Sequence, residues 1–248
     1  MEMDISWLPP NLAVLYEPRD ANRRGPRPAL SLDSVVRTGI EIADAEGLGG
    51  LSMSRVAERL GFTTMSLYRY VRSKDDLLLL MADEANGREP PEPDPISWRD
   101  GLETWTRAIF RVLRAHPWLL RVPMSGPPAG PAQLRWMEAG LANLAGSGLH
   151  DGRKLQIIQL LHGYARGEAQ LSSELGTLAP EADTSARYGE ILRVVTTQET
   201  HPALHRLLDT GILDGPTEYD EDVDFGFGLS TILDGIERQV EAGQPTDA

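Results

Sequence analysis

The sequence predicts an all-α protein: a three-helix head of helix-turn-helix layout, followed by a larger helical body. Apolar residues recur at three- and four-residue spacing through most of the 248-residue chain, the period of one helix face. No window alternates apolar and polar residues long enough to build a sheet. Ser31, Ser52, Thr63, Ser73 and Ser97 stand where helices would open, and Gly47 and Gly61 where they would close. There is no internal repeat.

Residues 1–30 hold Pro9, Pro10, Pro18, Pro26 and Pro28 with little periodicity, and read as an extended or disordered arm. Arg19, Arg23, Arg24 and Arg27 could reach phosphates or a minor groove; a solvated tail is the simpler account. The head spans 31–86. Its first helix, 32–46, places Val36, Ile40 and Ala43 on one face with Val35 and Ile42 beside it. Gly47 can then take the left-handed conformation that ends a helix. A second helix, 53–60, turns Val56, Ala57 and Leu60 inward before a turn at Gly61. A third, 64–71, is anchored by Leu67 and Val71. Ser73 and Asp76 form a capping box for a fourth, 74–86, with Leu77, Leu78 and Met81 as its apolar stripe. The proline-rich stretch 87–97, GREPPEPDPIS, marks the domain boundary.

The body spans 98–248. Trp98, Leu102, Trp105, Ile109 and Val112 recur at helical spacing to His116, where Pro117 stops the pattern. Further helices are expected over 131–147, 153–175, 183–198, 203–209 and 222–242. The 153–175 helix is apolar on two faces: Leu155, Ile158, Leu161 and Ala165 on one, Ile157, Leu160, Tyr164 and Leu171 on the other. The 222–242 helix carries Phe225, Leu229, Ile232, Leu233, Ile236 and Val240. Together they hold more apolar surface than one chain's core needs, which points to a homodimer through these two helices; burial within one chain is the alternative.

Composition narrows the function classes. The chain has no cysteine, which removes disulfides, thiolate catalysis and cysteine-held zinc. The start, MEMDISWLPP, lacks the basic-then-apolar layout of a signal peptide. The apolar run 77–82 is too short to span a bilayer, so a cytoplasmic protein without membrane contact is expected. Net charge is −13, yet residues 19–74 carry ten basic and six acidic side chains, +4, against −17 elsewhere. A basic head on an acidic body suits a protein whose head alone touches phosphate.

A helix that enters a DNA major groove must be pinned on one side and exposed on the other. With Leu67 and Val71 as pins, Thr64, Met65, Ser66, Tyr68, Arg69 and Tyr70 fall on or near the outward and N-terminal surface, with Thr63 as cap. Arg69 can bond guanine O6 and N7 together, worth about 1–3 kcal/mol of discrimination. Thr64 and Ser66 can reach base edges or phosphate, and Met65 a thymine methyl. Tyr70, Arg72 and Lys74 are placed for backbone phosphate. Ser52 and Ser54 open the second helix, where free amides favour anions.

The stretch of roughly 31–86 is similar to the DNA-binding domain of the TetR family. The matching strings are AEG at 45–47, LS-x-x-x-VAERLG at 51–61, SLYRYV at 66–71 and K-D-x-L at 74–77. The body resembles, less strongly, the tetracycline-repressor branch, through SWRDGL at 97–102, a helix ending at His116 and FGFGLSTILDGIERQ at 225–239. The resemblance implies a homodimeric repressor on a near-palindromic double-stranded operator. It implies release when a small molecule in the body shifts the spacing of two heads, and a dimer interface built as a four-helix bundle. That branch holds its drug as a magnesium chelate, through a histidine just after the helix that ends here at His116. Here Pro123 or its neighbours stand at that place. Magnesium-tetracycline is therefore not the expected effector, and no metal or cofactor is expected. Candidate lining residues for a metal-free pocket are Trp105, Ile109, His116, Trp118, Trp136, Met137, His162, Tyr164 and Arg166; plain core packing accounts for each as well.

Other constellations are weak. His201 and His205 are four apart, but Pro202 follows the first and no HExxH exists. G-x-G at 226–228 follows no strand, and no G-x-S-x-G elbow or Walker loop is present. No catalytic residue is assigned. The sequence thus points to a ligand-responsive DNA-binding regulator. A helical protein-binding module, or an enzyme built on the C-terminal helices, are the alternatives.

Overall fold

The computed structural model describes residues 8–16, 30–87, 89–123, 128–178, 184–214 and 221–243. Proline fits the first position of a helix, whose N–H has no partner in any case. Pro10 takes that place: the Leu12 and Ala13 N–H groups bond the Pro9 carbonyl at 2.8 and 3.0 Å, and α1 (Pro10–Tyr16) follows. The expectation of an extended arm over 1–30 is thus corrected for 10–16. Val14 and Leu15 are buried, and that burial offsets the cost of ordering the segment. Arg19, Arg23, Arg24 and Arg27 lie outside the described residues.

In the head, Ser31 and Ser34 exchange side-chain-to-backbone hydrogen bonds of 3.2 and 2.9 Å, closing the start of α2 (Leu32–Gly50). Gly47 breaks that helix with φ 70° and ψ 179°, a conformation costly for any residue with a Cβ. Ser52 caps α3 (Met53–Leu60), and Gly61, at φ 75°, turns the chain into α4 (Thr64–Leu67). The third helix expected over 64–71 is therefore one turn long. The Tyr70 and Val71 N–H groups both bond the Leu67 carbonyl, at 2.8 and 3.0 Å. The tighter turn through Tyr68–Tyr70 brings Val71 back into the core, where it is 1% exposed. Ser73 caps α5 (Lys74–Ala85) by accepting the Asp76 N–H at 3.0 Å. α1 packs against α5, as does α2.

The body comprises α6 (Trp98–Ala115), a 3-10 turn (Pro117–Arg121), α7 (Pro131–Asn143), α8 (Asp151–Leu178), α9 (Thr184–Val195), α10 (Pro202–Asp209) and α11 (Glu221–Gly243). α6 lies between α7, α8 and α11 and buries Leu102, Trp105, Ile109, Phe110 and Leu113. The expected 131–147 helix stops at Asn143, whose side chain turns back to donate to the Ala139 carbonyl at 2.9 Å. In α8, Ile157, Ile158, Leu161, Ala165 and Ala169 face inward, while Leu155, Leu160 and Leu171 are exposed. Leu155 and Ile157 thus exchange the faces expected of them. In α11 the apolar stripe Phe225, Leu229, Leu233, Ile236 and Val240 is buried within the chain itself. That stripe is not the spare surface the sequence suggested; the apolar residues facing out are Val223 and Phe227. Among the described residues there is no strand, and no helix is long and apolar enough to cross a membrane.

Head and body are joined by three carboxylate or carbonyl acceptors, on α2, on α5 and at the residue that closes α5. Asp44 Oδ1 accepts from His116 Nδ1 at 2.8 Å and Trp118 Nε1 at 2.7 Å. Asp83 Oδ1 accepts the Ala132 N–H at 2.9 Å, capping the first turn of α7. The approach is close enough that a Cβ on Gly130 would come within 2.7 Å of that oxygen. The Asn86 carbonyl accepts from Trp136 Nε1 at 2.7 Å. The linker is pinned too. The Asp94 N–H donates to Asn143 Oδ1 at 2.9 Å, and the Ser97 and Ile96 N–H groups hold the Asp94 carboxyl below the usual carboxylate range.

Candidate nucleic-acid interface

The one-turn helix α4 has little hydrogen bonding of its own, so its placement rests on packing. Leu67 is 0% exposed, and the Phe62 N–H reaches back to the Ala57 carbonyl at 2.9 Å, fixing the angle between α3 and α4. With that side sealed, the opposite flank faces solvent. Met65 is 75% exposed and Tyr68 45%. Thr63, Arg69, Arg72 and Lys74 are exposed, and Thr64 and Ser66 half-buried. An exposed methionine beside a fully buried leucine is what a groove-facing helix requires, since no described residue covers it.

The polar groups sort by availability. Arg69 and Lys74 make no hydrogen bond or ion pair with a described residue, so both charges are free to meet an anion. Thr63 and Ser66 hydroxyls bond each other at 2.9 Å and can each still turn a lone pair or proton outward. Ser52 accepts the Arg55 N–H at 3.1 Å and lies 3.0 Å from the Ser54 hydroxyl, which is exposed. Arg72 Nε is tied to Asp76 at 3.0 Å. Tyr70 departs from its expected role: its hydroxyl donates to the Leu30 carbonyl at 3.1 Å, anchoring α4's exit to the start of α2. A phenol has one proton, so this bond competes with any to phosphate. Arg55, which no motif singled out, is held by Glu46 and Glu58, each at 3.3 Å; the Glu46 bond foremost raises its pKa further.

The nine residues expected to line an effector pocket are all described, and their polar atoms point to different junctions. Trp105, Ile109, Trp118 and Trp136 are buried; His116, Met137, Tyr164 and Arg166 are half-buried; His162 is exposed. His116 and Trp118 bond Asp44 of the head. Trp105 Nε1 donates to the Trp136 carbonyl at 2.9 Å, and Trp136 in turn to Asn86. Tyr164 donates to the Phe225 carbonyl at 2.8 Å, and Arg166 to the Leu120 carbonyl at 2.7 Å. These groups tie helices together. Among the described residues no cluster of three His, Asp or Glu side chains could hold a metal ion. What the sequence reading missed are Asp44 and Asp83; the only hint was an acid placed among inward-facing positions of a helix.

Known proteins share this arrangement. Residues 35–81 match the family described as bacterial regulatory proteins, tetR family, and residues 90–240 the tetracyclin repressor-like C-terminal domain. The HTH-type transcriptional repressor DrrR1 of Streptomyces coeruleorubidus is 39% identical over 234 residues, covering 91% of this chain and 84% of its own. Apo ActR of Streptomyces coelicolor superposes with a TM-score of 0.73 at 30% identity, covering 88% of this chain and 100% of that one. The complex of ActR with actinorhodin gives 0.70 at 31% identity, over 88% and 99%. DrrR1 is a transcriptional repressor by name, and ActR is a TetR family protein known in complex with actinorhodin. The helix-turn-helix head, the helical body and these matches agree: the chain belongs to the TetR family of bacterial transcriptional regulators.

Proposed function

We propose that this chain is a homodimeric repressor that holds a near-palindromic operator through two copies of α4 and leaves it when a small molecule binds the body. The observation that supports this most is the division of α4 and its exit turn. Leu67 and Val71 are sealed in the core, while Met65, Tyr68 and Arg69 stand in solvent. In this reading Arg69 reads a guanine and Met65 touches a thymine methyl. Thr63, Thr64, Ser66 and Tyr68 fill the groove, and Ser52, Ser54, Arg72 and Lys74 hold phosphate. Two heads must then span about 34–36 Å to meet successive turns of one duplex. Exposed Leu155, Leu160 and Leu171 on α8, with Val223 and Phe227 on α11, support pairing through these two helices. The similarity to ActR, whose complex with actinorhodin is known, supports an organic effector. The effector works only if it favours the head spacing that does not fit DNA; equal affinity for both states would change nothing. Asp44, Asp83 and Asn86 are the contacts through which a shift in the body would reach the head.

The test is operator binding against salt concentration, by fluorescence anisotropy on a duplex selected from a random library. A steep fall is expected, with a log–log slope of about −0.9 per phosphate neutralised. A flat response contradicts the reading.

A further inference from the structure

Two sides of α5 are held by different parts of the chain. Met81 lies against α2, so close that a Cβ on Gly39 would stand 2.7 Å from its sulfur. Asp83 is two residues on, about 200° around the helix, and so faces the other way. There it accepts the Ala132 N–H at the first turn of α7. α5 is thus the bar between head and body. Its seat on the body is the turn 129–132, whose residues Ala129, Gly130, Pro131 and Ala132 offer little side chain to grip. The turn is held through its backbone instead. The Ala129 and Gly130 N–H groups donate to Gln133 Oε1 at 3.2 and 3.1 Å. The Ala129 carbonyl accepts from α1: the Tyr16 hydroxyl donates to it at 2.6 Å. Leu15, 9% exposed, sits in the notch that Gly130 leaves, its Cδ1 3.3 Å from where a Cβ would stand. Val14 is buried as well, and α1 packs along α5.

Three parts of the chain therefore meet in one notch: the Asp83 carboxylate of the head, Gly130 of the body and Leu15 of α1. Two bodies that touch along one edge can still rock about it; an element bonded to both removes that freedom. α1 has only seven residues, too few to stay helical in water by itself. Its order exists only while α5 and α7 keep this spacing. The dependence runs both ways: parting α7 from α5 exposes Leu15 and breaks the Tyr16 bond, so an ordered α1 favours the spacing that orders it.

We propose that α1 is a brace that locks α5 to the first turn of α7, fixing one angle between head and body and so the spacing that two heads offer a duplex. Leu15 and Tyr16 are its positioning residues. The brace rests on the repressor reading only for this consequence at DNA.

The chain has no cysteine, so spin labels attach only where cysteines are introduced. The test is a pulsed electron-resonance distance measurement on the full-length, DNA-free protein. One pair of labels spans head and body, at Arg59→Cys on α3 and Glu138→Cys on α7, both exposed. Dilution with unlabelled chain keeps each measured pair within one protomer. With α1 unaltered, one narrow distance is expected. Leu15→Ala together with Tyr16→Phe should widen the distribution at least about twofold, because the favoured state loses its advantage over its neighbours. Tyr16→Phe alone should fall between. A second pair within the body, Arg111→Cys and Glu138→Cys, should keep its width throughout. An unchanged head–body distance in the double variant, or equal widening of both pairs, would overturn the brace. On DNA, the double variant should lose the unaltered protein's preference for one half-site spacing; a preference kept in full would overturn the role at DNA. If neither protein prefers a spacing while the head–body distance widens, the two-headed reading fails and the brace stands.

Discussion

Leu67 and Met65 are two residues apart on a single helical turn and should fail in opposite ways. Leu67 is 0% exposed and is α4's main anchor; Met65 is 75% exposed and touches no core. Leu67→Ala removes a buried isobutyl group and leaves a cavity, a change that costs about 2–5 kcal/mol in tightly packed sites. Against a typical total of about 5–15 kcal/mol that is a large share. For a chain of this length it lowers the melting temperature by about 2–4 °C per kcal/mol. Met65→Ala removes surface already in water, so its effect on stability should stay within about 0.5 kcal/mol. Its effect on DNA should be larger. A lost base contact costs about 1–3 kcal/mol. An apolar contact belongs at the low end, so two heads on two half-sites lose about 2 kcal/mol, or roughly thirtyfold in affinity. The assay pairs thermal melting with operator anisotropy on the same preparations. If Met65→Ala melted several degrees early and bound the operator normally, α4 would not present the flank described, and the reasoning from burial to groove contact would be refuted.

Arg69→Ala should relax preference at one base pair of each half-site, whereas Lys74→Ala should weaken all sequences alike and lower the salt slope by about one per head, measured by competition among variant operators. Tyr70→Phe should cost about 1 kcal/mol of stability, because the Leu30 carbonyl loses its donor, and should leave the salt slope unchanged in the same anisotropy assay. Asp44→Ala leaves the His116 and Trp118 ring nitrogens without their acceptor, at a cost of about 1–3 kcal/mol in a denaturant melt. Deleting residues 1–16 strips Val14 and Leu15 from the side of α5, and should lower stability by about 1.5–3 kcal/mol for each side chain while sedimentation still shows a dimer.

The parts of the fold legible in the sequence are those set by local chemistry. The caps at Ser31, Ser52 and Ser73 and the left-handed glycines 47 and 61 are short-range hydrogen-bond and steric facts, readable from a few residues. The outward set on α4 was readable for the same reason, once Leu67 and Val71 were identified as anchors. Tyr70 was not, since its hydroxyl meets a carbonyl forty residues away. α1 escaped because its two buried side chains find partners far along the chain, on α5 and near Gly130, and five prolines in thirty residues dominate a local reading. Likewise, periodicity shows that α11 has an apolar stripe but not whether one chain or two will cover it. The tryptophans illustrate the same gap: periodicity places Trp105, Trp118 and Trp136 on helix faces but does not show that their indole nitrogens fasten helices and domains together.

The major-groove claim is tested most directly by methylation protection at guanine N7 on a selected operator. The account predicts two groups of protected guanines about one helical turn apart, with one guanine in each group losing protection in Arg69→Ala. Protection that is absent from the major groove, or that Arg69→Ala leaves wholly intact in both half-sites, would contradict it.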